Sequence, residues 1–263
     1  YGDHRNLHSF PTRRSSDLVL RRLYISLQRA KVEVFEAKCF HWLNGATAVS
    51  DDEARIIANL GVPYPVAVVE NGVDTHYFAC APDADPNLIV FSGAMDWRPN
   101  QDAALYFTEQ ILPRIRKKCP GAPFTIVGRT PPKHIQDLAK IQGVTVTGTV
   151  DDVRPYVGRA AALVVPLRIG GGSRLKILEG MAMHKPIIST SVGAEGLRVT
   201  HNHNILLADN PDDFAEAVVH CLTDPSLRTS LGDNGRKLVE QEYRWDILAR
   251  KMHEYICRVL TGS

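Results

Sequence analysis

Residues 161–197 read AALVVPLRIGGGSRLKILEGMAMHKPIISTSVGAEGL. The apolar run at 162–165 is typical of a buried parallel strand, and the run at 186–189 predicts a second one. Between them lies a glycine triplet at 170–172, followed by Ser173, which we expect to open a helix as its N-cap. The order strand, glycine loop, helix, strand favours nucleotide binding, because backbone N–H groups at a helix N-terminus attract phosphate.

The glycine triplet has two interpretations. Gly170, Gly171 and Gly172 with Ser173 form either a cradle for a diphosphate or a tight turn between strand and helix. A turn needs one such glycine, whereas three indicate close approach of the backbone to another group. The sequence therefore favours the cradle.

Three positive charges flank this loop. Lys176 and Arg174 lie in the first turn of the predicted helix, and Arg168 lies just before the glycines. Each is either a solvated surface residue, as is usual for lysine and arginine, or a ligand for the diphosphate. From this position Lys176 can reach a bound diphosphate, so we predict that it is a ligand.

From residue 88 onward, apolar strands alternate with helical segments. We predict strands at 88–91, 124–127, 144–147, 163–165 and 187–189, and helices from 99, at 133–140, from 173, at 211–222, at 225–243 and at 245–260. Such alternation indicates a parallel sheet covered by helices on both faces. The loops at Gly93, Gly128 and Gly170 each follow a strand, so we expect them to share the edge where ligands bind such sheets. Before residue 76 we predict helices at 19–40 and 51–60 and strands at 45–49 and 66–69.

Composition excludes several classes of protein. The chain of 263 residues is 44% hydrophobic and 23% charged with a net charge of +2, which argues against nucleic-acid binding. The longest apolar run is far too short to cross a bilayer. Its five cysteines form no C-x-x-C pair, which indicates a reducing cytoplasm and no zinc or redox motif. His201-Asn202-His203 lacks a nearby carboxylate and is typical of a turn, so we predict no metal site.

Several segments together point to one family. Leu178-Glu179-Gly180-Met181, Asn71-Gly72-Val73-Asp74, the stretch from Phe91 to Asn100, Ile126-Val127-Gly128 and Gly193-Ala194-Glu195-Gly196-Leu197 occur in this order along the chain. In this order they resemble the retaining glycosyltransferases of family 4, which have the GT-B fold, over roughly residues 30–260. That family carries two glutamates separated by seven residues. Glu179 matches the second, but Gly171 stands at the position of the first, so the usual contact to the donor sugar is missing.

The resemblance implies roles for particular residues. Glu179 would accept hydrogen bonds from the ribose hydroxyls; the alternative is a carboxylate on the helix surface. Lys176 and Arg174 would be catalytic, because they would stabilise the negative charge that develops on the departing nucleoside diphosphate without a metal. Gly128, Arg129 and Val150 lie at strand ends where the family holds the base; they are otherwise ordinary loop residues.

The loop after the first strand of this sheet departs from the family pattern. It begins at Gly93, and the family supplies an arginine and a lysine where Ala94 and Pro99 stand here. We expect Arg98 to compensate for this loss, which increases the importance of Arg174 and Lys176.

The resemblance also implies the organisation of the chain. The fold class is α/β, a Rossmann-like parallel sheet covered by helices that forms the C-terminal half of a GT-B fold, with a remnant of the N-terminal domain. We expect a donor domain at 88–242, the tail of an acceptor domain at 19–75, a linker at 76–87 and a crossover helix at 243–263. The stretch from His8 to Leu18 resembles a translated sequencing adapter, and the alternative is a natural basic linker. We expect residues 1–18 to be a non-biological leader and the chain to be N-terminally truncated.

These observations predict a cytoplasmic, metal-independent glycosyltransferase without a cofactor. It would transfer a sugar from a nucleotide diphosphate sugar to a hydroxyl of a glycan or lipid-linked acceptor, in cell-surface or extracellular polysaccharide synthesis, with the fragment itself inactive. The basic, partly apolar last helix favours either peripheral contact with the inner face of a membrane or packing across the two domains. The alternatives are a nucleotide-sugar 2-epimerase of the same fold and a non-catalytic nucleotide-binding module. The absence of G-x-G-x-x-G after the first strand disfavours a dehydrogenase.

Overall fold

The computed structural model describes residues 15–79, 85–170 and 174–261. Its first part holds a short parallel pair of strands and two helices: α1 (Ser15–His41), β1 (Ala46–Ala48), α2 (Asp51–Ala58) and β2 (Val66–Val68). The predicted helix at 51–60 is confirmed with Ser50 as its N-cap, whose side chain accepts a hydrogen bond from the Glu53 backbone N–H. Helix α1 begins at Ser15 rather than at residue 19, so it includes the last residues of the predicted leader. Residues 1–14 of that leader, and 80–84 of the predicted linker, lie outside the described residues.

A six-stranded parallel sheet forms the centre of the molecule, which confirms the predicted α/β class. Its strands are β3 (Ile89–Ser92), β4 (Phe124–Val127), β5 (Val144–Val146), β6 (Ala162–Val165), β7 (Ile187–Ser189) and β8 (Leu206–Leu207). Their order across the sheet is β5-β4-β3-β6-β7-β8, with every neighbouring pair parallel. All residues of β3 and β6 are buried, as expected for strands covered on both faces.

Helices flank and connect the strands, and the alternation predicts those that begin near residues 99, 133, 211, 225 and 245. The helices are α3 (Arg98–Tyr106), α4 (Leu112–Lys118), α5 (Lys133–Gln136), α6 (Arg154–Arg159), α7 (Leu175–Ala182), α8 (Pro211–Thr223), α9 (Pro225–Glu242) and α10 (Trp245–Thr261). A π-helical segment (Phe107–Ile111) joins α3 to α4, and a 3₁₀ turn (Asp137–Lys140) follows α5. Sequence patterns missed α6 and β8, because a helix of six residues and a strand of two are too short for a visible period.

The core lies between this sheet and its helices. Phe107 is fully buried, and its ring centroid lies 4.4 Å from that of Phe124 on β4 and 6.1 Å from that of Phe214 on α8. These aromatic contacts join a helix, the sheet and a later helix, so they fix the sheet that carries the loops described below.

Helix α10 packs against the two-stranded sheet near the start of the chain. The Tyr255 hydroxyl accepts a hydrogen bond from the Ala46 backbone N–H at 2.9 Å and donates one to the Pro65 carbonyl at 2.9 Å. Lys251 forms an ion pair of 3.1 Å with Glu70, which is buried. This helix therefore contacts the region before residue 76, which is one of the two arrangements expected for it. Within the described parts of the chain, no helix combines the length and apolar character required to cross a membrane.

Candidate functional site

The order of the strands opens a crevice at one edge of the sheet. Strands β3, β4 and β5 proceed in one direction across the sheet, and β6, β7 and β8 proceed in the other. Connections after β3 and β6 therefore diverge, and parallel sheets bind ligands where their connections diverge, beyond the carboxyl ends of the strands. The loops that begin at Gly93 and Pro166 border this point.

A cleft of about 220 Å³ lies between these two loops and helix α7. Its lining includes Asn100 from α3 and Lys176 from α7. Trp97, Ile169 and Leu175 also line the cleft and are exposed, so they give it an apolar border. An apolar border with a few polar groups is typical of small-molecule sites.

Lys176 lies on the wall of this cleft. Its Nζ donates a hydrogen bond to Asn100 Oδ1 at 2.8 Å and lies 4.7 Å from the centroid of the Phe91 ring. Burial lowers the pKa of Lys176 to about 8, although the nearby Glu179 opposes this change. An ammonium group with little access to water is a strong partner for an anion that enters the cleft.

Asn100 holds this lysine in place and is a residue that the sequence analysis did not single out. Its Nδ2 donates to the Ala94 carbonyl at 2.8 Å, which leaves Oδ1 directed at Lys176. The signal was present, since Asn100 ends the stretch from Phe91 that carries the family resemblance. Its contact with Lys176 was not visible in the sequence, because the two residues are 76 positions apart.

Arg174, not Ser173, is the N-cap of α7, so the prediction that Ser173 opens the helix is wrong. Arg174 has a left-handed backbone conformation (φ 52°), and a residue in that conformation cannot belong to a right-handed helix. The helix therefore begins at Leu175. Gly171, Gly172 and Ser173, the remaining part of the predicted cradle, lie outside the described residues.

The Arg174 side chain is directed into the protein. Its Nη2 donates to the Gly170 carbonyl at 3.2 Å and to Glu195 Oε2 at 3.1 Å. Only 5% of the side chain is exposed, although Arg174 still lines the cleft. Gly170 has a φ of 116°, which favours glycine at that position.

Glu179 lies one helical turn after Lys176 and is half-buried. Burial raises the pKa of Glu179, whereas the positive charge of Lys176 acts in the opposite direction. The structure therefore brings Lys176 and Glu179 together on one side of α7, as the spacing predicts.

Gly128 and Gly93 allow the loops after β4 and β3 to pack closely. A Cβ atom on Gly128 would lie 1.7 Å from the Gly93 carbonyl oxygen, which no side chain tolerates. A Cβ on Gly93 would lie 2.8 Å from Lys176 Nζ and from Asn100 Nδ2. Both glycines thus have a packing role, and Gly93 has it next to the predicted ligand Lys176.

Three arginines that were predicted as donor-binding residues lie outside the described lining of the cleft. Arg168 forms an ion pair with Asp102 and lies above the Tyr106 ring at 4.3 Å, so it is fixed to helix α3. Arg129 lies 3.5 Å from Asp96. Arg98 is exposed at the start of α3. The described lining of the cleft includes none of the three. The predicted roles of Arg168 and Arg98 toward the diphosphate, and of Arg129 toward the base, stay predictions.

Val150 borders a different groove, of about 590 Å³, together with Tyr156 and Arg159. The structure therefore places Val150 apart from Lys176. Its predicted contact with the base stays a prediction. Among the described residues, no three potential metal ligands lie close enough to share an ion.

A second cleft of about 200 Å³ adjoins the first. It is bordered by Ser50 and Glu53 from the early part of the chain and by Glu195 from the loop after β7. Arg174 lines both clefts, so it separates them.

Comparison with known sequences supports a family assignment. The model of the family described as Glycosyl transferases group 1 matches residues 86–224. The chain is also 28% identical over 231 residues to the GDP-mannose-dependent alpha-(1-6)-phosphatidylinositol monomannoside mannosyltransferase of Mycobacterium tuberculosis. This match covers 77% of the chain and 58% of the relative, so the chain spans little more than half of that protein.

Comparison with solved structures identifies the fold. Sucrose-phosphate synthase of Thermosynechococcus elongatus superposes with a TM-score of 0.71 at 20% identity, over 88% of this chain and 62% of that one. A mutant of TarM from S. aureus, in complex with Fondaparinux, alpha-GlcNAc-glycerol and UDP, gives a TM-score of 0.70 at 17% identity, over 85% and 46%. The sheet and its helices are thus those of GT-B glycosyltransferases.

Proposed function

Since the chain belongs to the group 1 glycosyl transferases, we propose that its cleft binds a nucleoside diphosphate sugar and that the sugar is transferred to a hydroxyl acceptor. One observation carries this proposal: Lys176 Nζ, held by Asn100, lies in the cleft beside the N-terminus of α7. A half-buried cation and a helix N-terminus together attract a diphosphate. The GDP-mannose dependence of the mycobacterial relative and the UDP bound to TarM agree with such a donor.

In the proposed reaction the bond from the anomeric carbon to the diphosphate oxygen breaks, and a bond to the acceptor oxygen forms. The acceptor hydroxyl loses its proton to the departing phosphate oxygen. Negative charge increases on the diphosphate as it leaves, and Lys176 stabilises that charge more strongly in the transition state than in the bound donor. Lys176 is therefore the proposed catalytic residue, whereas Arg174 acts through the residues that it holds.

We propose that the nucleoside extends from Lys176 toward Glu179. A carboxylate accepts two hydrogen bonds from neighbouring hydroxyls, so Glu179 is suited to the ribose diol. The base would then lie along the loops after β4 and β5, near Gly128, Arg129 and Val150. Its contacts there would be to the backbone, since the Arg129 side chain is paired with Asp96.

The finer features of the function are also proposals. They are retention of the anomeric configuration, independence of metal, a cytoplasmic location and a glycan or lipid-linked acceptor. The mycobacterial relative acts on a phosphatidylinositol monomannoside, which is a lipid-linked sugar, and this supports an acceptor of that kind. We further propose that this chain on its own binds the donor and shows little turnover, because it spans 58% of the mycobacterial relative and transfer requires donor and acceptor to be held together.

Calorimetric titration of the chain with GDP and with UDP tests the proposal. We expect one of the two to bind in the presence of EDTA as tightly as with added Mg²⁺. Lack of binding by both nucleotides, or binding that requires the metal, would contradict it. Retention is tested separately, from the anomeric proton coupling of the first product formed by any preparation that shows turnover.

A further inference from the structure

Glu195 lines the second cleft and is joined to Arg174, which lines both clefts. It lies in the loop after β7, and 62% of its side chain is exposed. Its Oε2 accepts a hydrogen bond of 3.1 Å from Arg174, whose own side chain is only 5% exposed. A buried guanidinium therefore fixes the orientation of an exposed carboxylate, which is what a specific binding group requires.

The four charged side chains around the start of α7 lie in a definite order. Glu179 lies one turn into the helix, Lys176 lies in its first turn, and Arg174 caps it. Glu195 follows beyond Arg174, joined to it by the ion pair. The order is thus carboxylate, ammonium, guanidinium, carboxylate.

This order matches the chemistry of a nucleoside diphosphate sugar. Such a molecule presents a ribose diol, then a diphosphate, then a second ring with several hydroxyls. Carboxylates are suitable acceptors for the two sets of hydroxyls, and the cation between them is suitable for the phosphates. Gly193, two residues before Glu195, lines the cleft that contains Lys176, so the loop after β7 reaches this cleft as well as the second one.

We propose that Glu195 accepts hydrogen bonds from hydroxyl groups of the transferred sugar and so determines which sugar is used, with Arg174 as its positioning residue. This inference rests on the proposed function, because it presumes that a nucleotide sugar occupies the cleft. It adds a contact for the sugar that is separate from those for the nucleotide.

Because the proposed contacts to the sugar differ from those to the nucleotide, ligands with and without the sugar test the role of Glu195. The probes are GDP and UDP, which lack the sugar, and GDP-mannose and UDP-glucose, which carry it. Glu195→Gln keeps the size of the side chain and a partner for Arg174 but removes the charge. We expect this variant to bind the sugar-bearing form of the preferred nucleotide about tenfold more weakly, as for loss of a hydrogen bond to a charged group. Binding of the matching diphosphate alone should change less than twofold.

Glu216→Gln is the matched control. Glu216 is 59% exposed and forms an ion pair of 2.9 Å with Lys118, so it resembles Glu195 in exposure and pairing. It lies on α8, away from the residues that line the cleft. We expect it to bind all four probes as the wild type does, and thermal unfolding of both variants confirms that they are folded.

A second measurement identifies the hydroxyl. Among monodeoxy analogues of the preferred nucleotide sugar, one should bind more weakly to the wild type but show no further loss in Glu195→Gln. Arg174→Ala should also reduce the affinity that the sugar adds to the diphosphate. The double variant should lose no more of that affinity than the weaker-binding single variant does. If Arg174 affected only the stability of the fold, the losses of the two single variants would add in the double variant.

The outcomes separate this inference from the proposed function. If the wild type binds neither nucleotide, the proposed function is wrong and the role of Glu195 is wrong with it. If a nucleotide binds but Glu195→Gln weakens the diphosphate and the nucleotide sugar equally, or neither of them, the proposed function stands and the role of Glu195 is overturned.

Discussion

Lys176 Nζ lies 2.8 Å from Asn100 Oδ1, and this hydrogen bond joins helix α7 to helix α3 across the crevice at the centre of the sheet. Asn100 is itself held by the Ala94 carbonyl at 2.8 Å, so its amide has one fixed orientation. The lysine therefore needs no rearrangement to meet an anion in the cleft, which is the condition for electrostatic stabilisation of a departing diphosphate.

Asn100→Asp should weaken binding of the preferred nucleoside diphosphate roughly tenfold, and more than Asn100→Ala does. The new carboxylate would pair with Lys176 and repel the diphosphate, whereas alanine only removes the hydrogen bond. Calorimetric titration at pH 7 measures both variants. Equal affinities of Asn100→Asp and the wild type would show that Lys176 does not meet the diphosphate.

Binding of the nucleoside diphosphate should weaken as the pH rises through about 8. Burial lowers the pKa of Lys176 to about 8, so its ammonium loses a proton as the pH rises past this value. Lys176→Arg should bind with little change over the same pH range, because a guanidinium stays charged. The measurement is a series of titrations from pH 6.5 to 9.5. A pH profile that is the same in both proteins would assign the titration to another group.

The same pKa predicts how stability depends on pH. Between about 8 and 10.5, the unfolded chain keeps a proton that the folded chain has lost from Lys176. The free energy of unfolding therefore gains a contribution that rises with pH over this interval. Urea unfolding of the wild type and of Lys176→Met at several pH values measures this contribution. The difference between their free energies of unfolding should change between about pH 8 and 10.5.

Glu179→Gln should reduce the preference for ribonucleotides over their 2′-deoxy analogues. The amide accepts hydrogen bonds from the ribose hydroxyls more weakly than the carboxylate does. Burial raises the pKa of Glu179, so the fold disfavours its charged form, a cost that a neutral side chain avoids. The neutral variant should therefore also unfold at a higher temperature. A variant that distinguishes ribose from deoxyribose as well as the wild type does would remove Glu179 from the ribose site.

Much of the fold was predictable because buried parallel strands are short apolar runs. Strands β4 and β7 begin and end where the sequence predicts, at Phe124–Val127 and Ile187–Ser189. The start of α7 was not predictable, because a left-handed backbone is uncommon for arginine and the Arg174 side chain contacts Gly170 and Glu195 only in the folded chain. Glycine would be the usual residue for such a conformation, so the sequence alone favoured a cap at Ser173.

Site residues that lie close together in sequence were predictable, whereas contacts between residues distant in sequence were not. Lys176 and Glu179 follow from the spacing of one helix. The contacts of Asn100 and Glu195 depend on residues 76 and 21 positions away, which no local pattern reveals. The partner of Arg168 was equally hidden from the sequence: its position before the glycines suggests a phosphate ligand, and the structure adds an ion pair with Asp102, 66 positions away.

Gly128→Ala should destabilise the protein by about 3 kcal/mol or more, since the new Cβ would overlap the Gly93 carbonyl oxygen at 1.7 Å. Gly61→Ala is the control. Gly61 has a φ of 75° and no neighbour within 4 Å of a Cβ, so only backbone strain of about 1 kcal/mol is expected there. Urea unfolding measures both. Equal costs at the two positions would mean that the loops after β3 and β4 do not pack as described.

The central claim, that Lys176 binds the diphosphate of the donor, is tested most directly by titrating Lys176→Ala and Lys117→Ala with the preferred nucleoside diphosphate in EDTA. Lys117 is exposed in the last turn of α4, which leads into the amino end of β4 and so lies at the edge of the sheet opposite the cleft. We predict that Lys176→Ala loses about 1.5–3 kcal/mol of binding free energy, whereas Lys117→Ala binds as the wild type does. Unchanged affinity in Lys176→Ala, or an equal loss in both variants, would contradict the claim.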